Sequence, residues 1–468
     1  MFSCTTYNMK SIRRGNPALA PAQLWRPPKA ANLKKRATPV VSVASASDAF
    51  RDVLVLALDV GTTGLKACVV RQDGKVLGTG SAAYRHGTSN GTNGEVEQCP
   101  EDWAQASVAA CRQALAADPA DMPLAAVVFS GQMQDLVPVA AGRSLSNALL
   151  YSDSRAQAEY TAIVDLIGSE RLNQEALNVK GAASVLAKWL WMQEHQHEVL
   201  GSAEALLLGA HSYLAYRYTG GLAACCDRTT AATTGLLAPP ALRTPRSPWC
   251  STVLHELSLE QSKLPTLVEA DAQVGTISPA AARELGLPRQ MHGLPVYHGA
   301  GDLGCTALGA GAAEHMYVGT SGWIARTEPE TSEDPTSGMG GLFTVLHPDD
   351  GLTLRAASMI SAGGAMEWAR GALWDSSTSL SEMDEAAAAT PPGCDGLMFL
   401  PHLSGERSPF TDPQARGAFI GLSGSSTKSS MTRAVLEGVA LNFRSMRDLL
   451  VRLALCALQP QKFDAGAW

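Results

Sequence analysis

The sequence predicts an α/β chain of two related halves around a cleft, and three observations carry that expectation. The first is Val53 to Val70, VLVLALDVGTTGLKACVV, where an apolar run breaks at Gly61, Thr62, Thr63 and Gly64 and resumes at Leu65. This reads as a strand, a tight polar turn and a returning strand. The second is the same construction near Met316 to Thr327, where Gly319, Thr320, Ser321 and Gly322 separate two short apolar runs. The third is the alternation, between these units, of short apolar strands with helical patterns.

Each element follows from its residues. In the opening turn the glycines let backbone approach a ligand, the threonines add hydroxyls, and Asp59 ends the first strand, so phosphate oxygens fit there. A carboxylate repels phosphate, so Asp59 would act on Mg²⁺ or its waters. An ordinary hairpin with a surface Asp explains the stretch equally well.

Pro100, Glu101 and Asp102 open an amphipathic helix. Leu124 to Phe129 is a strand ending in Ser130, Gly131, Gln132, Met133 and Gln134, and open α/β sheets present ligand groups just past their strand ends. Leu149 to Arg155, LLYSDSR, reads as a strand followed by Asp and Arg. Ser184 to Gln196 is a helix carrying Lys188, Trp189, Trp191 and Met192, its tryptophans assigned to packing. Leu206 to Tyr218 is another strand and helix.

Pro295 to His298 is a strand leading to Gly299, Gly301 and Gly304 around Asp302. The match to G-x-G-x-x-G fails as a dinucleotide fingerprint because it lies deep in the chain with its acid inside the loop. A glycine-embedded Asp suits a general base toward a hydroxyl. Capping of the next helix, read at Cys305 to Ala313, is the equal alternative. His292 and His298 show no metal-ligand spacing. Gly363 and Gly364 open a helix as a candidate nucleotide contact. Leu397 to Phe410 is a strand with a polar loop, and Met431 to Leu450 a long helix. No Walker A sequence is present.

Composition narrows the class. Of the 468 residues, 46% are hydrophobic and 17% charged, the balance of a soluble globular protein. There is no apolar run long enough to span a bilayer. Met1 to Ser47 holds eight Lys or Arg and no acid, which fits a disordered organelle transit peptide, with Val41 to Ser47 as its processing region. A chloroplast address is preferred to a mitochondrial one, and a nucleic-acid-binding arm is the weaker alternative. The body then carries 29 basic against 44 acidic residues, with no general affinity for nucleic acid or membrane. The ten cysteines lack a CxxC pair and read as reduced core residues.

Taken together, LALDVGTTGLK, EVEQCPEDW, SGQM, YSDSR, KWLWMQEH, GAGDLG, VGTSGW, LSGERSP, RGAFIGL and RAVLEGVA occur in order. In this respect the chain from about Leu54 to Leu458 resembles the FGGY carbohydrate kinases, in their xylulokinase-like branch. The resemblance implies two ribonuclease-H-like domains of the actin and hexokinase type, residues 52–300 binding sugar and 301–468 binding nucleotide. It implies Asp302 as the base, Asp59 organising Mg²⁺, and Gly61, Thr62, Thr63, Gly319, Thr320 and Ser321 lining the ATP phosphate loops. Gln132, Met133 and Gln134 would face the sugar, a ketopentose such as xylulose or ribulose. A homodimer is left open.

Two departures from the family pattern stand out. Gln134 occupies a place where similar enzymes carry His, and family members continue past the last long helix into an adenosine-holding loop that Gln459 to Trp468 does not resemble. The second domain is therefore expected to be incomplete, with a catalytically impaired sugar-binding protein as the alternative to an active kinase.

Overall fold

The computed structural model describes residues 53–84, 94–116, 123–179, 181–243, 248–330, 341–375, 377–412 and 414–458. The transit-peptide reading and Gln459 to Trp468 lie outside them.

The first half is organised by a six-stranded sheet. Strands β1 (Leu54–Val60), β2 (Gly64–Arg71) and β3 (Val76–Ala83) form an antiparallel meander. Helix α1 (Pro100–Leu115) leads to β4 (Leu124–Gly131), which pairs parallel with β1. The chain continues through β5 (Met133–Ala140), α2 (Val185–His195), β6 (Ala205–Gly209), α3 (Ala210–Tyr218) and α4 (Arg228–Ala232). Strands β7 (Gln273–Thr276) and β8 (Pro295–Gly301) then complete the sheet in the order β7-β8-β4-β1-β2-β3, with β8 parallel to β4.

The strand read from the apolar run is present, and its burial alternates along the chain. Leu54, Leu56, Leu58 and Val60 are buried with Trp103 of α1 and Tyr213 of α3 in one core. Asp59, between them in sequence, points to the other face at the C-terminal end of the strand.

Helix α5 (Asp302–Ala310) follows β8 directly, beginning three residues before the expected Cys305. The second sheet then starts, with β9 (Glu314–Val318), β10 (Gly322–Pro329), β11 (Phe343–Leu346) and β12 (Leu352–Met359) in the antiparallel order β9-β10-β12-β11. One face of this sheet, through Ala325, Val345, Leu354 and Ala356, shares a core with Leu303 and Ala307 of α5. The opposite face packs Ile324, Ala357 and Met359 on Phe443, Met446 and Leu450 of the long helix α7 (Lys428–Leu458), reached through α6 (Gly363–Leu373). Two side chains lock the halves: Asn178 exchanges hydrogen bonds with Thr344, and the Thr229 hydroxyl donates to the Leu346 carbonyl at 2.8 Å. The division expected after residue 300 falls at the junction of β8 and α5, and the second sheet begins at Glu314.

Local departures have local causes. Of LLYSDSR only Leu149 is in a strand, because the fully buried Asp153 turns the chain by accepting the Val96 amide at 2.8 Å and the Arg155 guanidinium. Trp189 is core and the partly buried Trp191 packs against that core, both as expected, with Trp191 also stacked on His195 at a ring-centroid distance of 4.7 Å. No described helix is long and apolar enough to cross a membrane.

Candidate active site

Asp302 is the first residue of α5, placed at the C-terminal end of a central parallel strand. The approach depends on Gly299, which sits at φ +76° where an added Cβ would lie 1.6 Å from the Phe129 carbonyl oxygen. Only glycine fits that crossing. Gly301 is close-packed in a softer way, since a Cβ there would lie 2.1 Å from the sulfur at the end of the Met133 side chain. Met133 therefore packs against Gly301, the residue before Asp302.

Base and cap are not exclusive roles. Gly301 holds the cap position of α5, while Asp302 Oδ1 accepts the Leu303 amide at 2.7 Å. The carboxylate remains solvent-accessible although protein surrounds it, as at a cleft floor. That environment desolvates the charge and, with Asp59 nearby, pushes the Asp302 pKa up to about 6.

Asp59 shares this character. It is exposed to the cleft, its pKa raised by desolvation and opposed by Lys66, its cross-strand neighbour, and by His211. Accessible, incompletely neutralised carboxylates beside threonine hydroxyls make an all-oxygen donor set, which fits Mg²⁺ rather than a softer metal.

The turn after Asp59 is held from behind. Gln98 donates to the Thr62 carbonyl at 2.7 Å and accepts from the Trp103 indole at 2.9 Å and the Gln132 amide group at 3.1 Å. The Tyr84 hydroxyl donates to the Gly61 carbonyl. Thr62 is half-buried and Thr63 exposed, so hydroxyl and backbone groups face the opening. Gln132 is nearly fully buried and its Oε1 has no partner. Gln134 adopts φ +64°, and its side-chain amide donates to the Thr233 carbonyl.

In the second half, Gly319, Thr320 and Ser321 connect β9 to β10, with the Gly319 amide donating to the Ser321 carbonyl at 2.9 Å. The start of α6 grips this turn: Gly363 donates to the Gly319 carbonyl at 2.7 Å and Gly364 to the Thr320 carbonyl at 2.9 Å. The anion contact expected of these two amides is thus corrected, because their hydrogens are committed to the turn. Their role is to shape Gly319 to Ser321, and a side chain at Gly363 would strike the Gly319 carbonyl at 2.6 Å.

A buried group escaped the sequence reading. His211 Nε2 lies 2.8 Å from Asp227 Oδ2, and His298 stacks edge-on against His211 at 5.3 Å, all three fully buried. Asp227 also accepts the Thr230 amide at 3.0 Å and the Gly301 amide at 3.4 Å. Burial opposes its charge, but the His211 hydrogen bond and charge hold Asp227 well below the usual carboxylate range. The fold therefore gives His298 an acidic neighbour that no sequence spacing announces. The three side chains are linked to each other, to Ser212 and to backbone, bracing the segment that carries Asp302. Only the fold joins them, since no spacing pattern relates these positions.

Two α/β domains with paired Gly-Thr turns, and an acidic pair at the cleft floor, define a phosphotransferase of the sugar-kinase type. Comparison with known proteins agrees. The model of the FGGY family of carbohydrate kinases, N-terminal domain, matches residues 54–309, and that of its C-terminal domain matches 316–456. The chain belongs to the FGGY family of carbohydrate kinases. A xylulose kinase of Staphylococcus epidermidis is 31% identical over 392 residues, covering 82% of this chain and 75% of the relative. Among solved structures, a ligand-bound xylulose kinase and a gluconate kinase, both from Lactobacillus acidophilus, each superpose with a TM-score of 0.74 at 25% identity. Each match covers 85% of this chain and 78% of the other.

Proposed function

We propose that this carbohydrate kinase transfers the terminal phosphoryl group of ATP to a hydroxyl of a ketopentose, xylulose or ribulose. The observation that carries the reading is Asp302, an accessible carboxylate opening α5 next to Gly301, which packs on Met133; burial and the Asp59 charge push its pKa up to about 6. A base of that strength is ionised at neutral pH yet able to hold a proton as the hydroxyl oxygen attacks. The new P–O bond forms on that oxygen, the bond to the leaving ADP oxygen breaks, and Asp302 retains the proton.

The remaining residues position the reactants. Gly61 to Thr63 and Gly319 to Ser321 offer hydroxyl and backbone groups to the phosphates, and in-line placement supplies much of the rate. Asp59 would hold Mg²⁺, which when bound neutralises charge on the transferred phosphoryl oxygens. Gln134 presents an amide to the sugar, an uncharged hydrogen-bonding group over the whole working pH range. A non-catalytic sugar-binding role finds no support, since Asp59 and Asp302 both face the cleft and the matched relatives are kinases.

Calorimetric titration of the chain with ribulose, xylulose, glycerol and gluconate tests the sugar. A ketopentose is expected to bind at least about tenfold more tightly than the others, the worth of one or two well-placed hydrogen bonds. Preference for gluconate or glycerol would overturn the ketopentose assignment.

A further inference from the structure

Beneath Gln132 to Gln134 lies a layer of buried charge that phosphoryl transfer does not use. Lys188 of α2 is fully buried, and its ammonium donates to the Gln134 carbonyl at 2.6 Å and to the Leu150 carbonyl at 2.9 Å. Asp135, also fully buried, accepts the Tyr151 amide at 3.3 Å. Burial raises the Asp135 pKa and lowers that of Lys188, and each is the chief charge opposing the other's shift. Leucine or methionine fills such a space without desolvating an ammonium, so packing alone does not account for Lys188.

What Lys188 holds is a strained residue. Gln134 has a positive φ, an uncommon and costly conformation for a residue with a Cβ. It is pinned at both ends, its carbonyl by Lys188 and its side-chain amide by the Thr233 carbonyl at the end of α4. Release of the carbonyl anchor lets the backbone relax and swings the side chain. Met133, next in the chain, would shift against Gly301 and the Asp302 segment.

We propose that Lys188 is a positioning residue that sets sugar selectivity: through the Gln134 carbonyl it fixes the amide that meets the ketose. Lys188 itself has no exposure to the cleft. The inference rests on the reading that the sugar sits against Gln134.

The test is steady-state kinetics with ribulose and xylulose for Lys188→Met, the paired Lys188→Met/Asp135→Asn, Gln134→Ala, and the triple variant. The paired change removes both buried charges together and keeps the test valid if Lys188→Met alone fails to fold. The paired variant is expected to raise the sugar KM about tenfold, as loss of one positioned hydrogen bond would. The ATP KM should stay within about twofold, and the ribulose-to-xylulose ratio of kcat/KM should change. In the Gln134→Ala background the same pair of changes should add little, because both act through one side chain. Full additivity, or parallel rises in both KM values, would overturn the proposal. If Gln134→Ala alone leaves sugar KM and the ketose ratio unchanged, the placement of the sugar is wrong, and the proposal falls with it by a distinguishable route.

Discussion

Asp302→Asn is expected to lower kcat about a thousandfold, within the range contributed by a positioned general base, while ketose affinity stays within about threefold. Asparagine keeps the size of the side chain and an oxygen for the Leu303 amide, so α5 should start unchanged. What it loses is the capacity to take the hydroxyl proton. Quenched-flow turnover with calorimetric sugar titration separates the two effects. The wild-type pH profile carries the same signature, with the sign fixed by the raised pKa. Above about 6 the carboxylate is ionised and active, and below it kcat/KM should fall tenfold per pH unit. Full activity in the Asn variant would remove Asp302 from the chemistry.

Asp59→Asn should be nearly as damaging, with kcat/KM reduced by about a hundredfold to a thousandfold, the scale of one lost electrostatic stabiliser of the transition state. Two further readouts follow from its position. The Mg²⁺ concentration for half-maximal rate should rise, because an amide is a poor partner for a hard dication. The acid limb of the profile should also move to lower pH, since the Asp59 charge helps push Asp302 up. Initial rates across Mg²⁺ and pH check both, and an unchanged Mg²⁺ requirement would exclude Asp59 as the metal-organising group.

Both Gly-Thr hairpins are legible in the sequence because strand, turn and strand are local and show as two apolar runs broken by a Gly-Thr turn. Asp59 is legible as the end of an apolar run, and Asp302 as an acid embedded in glycines after a short strand. Neither hairpin reveals what grips it. Gly363 and Gly364 look like a helix N-terminus open to anions, and only the fold shows their amides turned onto Gly319 and Thr320. The support beneath Gln134 is hidden for a related reason. Lys188 reaches its carbonyl from 54 residues away, and an isolated Lys on an amphipathic helix ordinarily reads as a solvated side chain. His211 and Asp227 meet by the same kind of long-range folding, where charge and burial become visible only together.

Phosphoryl transfer to a ketopentose, as proposed, is read directly from ADP release by the wild-type protein. With ATP and Mg²⁺ present, adding ribulose or xylulose should raise ADP release well above the rate without sugar, and glycerol and gluconate should not. ADP release that no ketopentose stimulates, from a protein shown by calorimetry to bind the sugar, would contradict it.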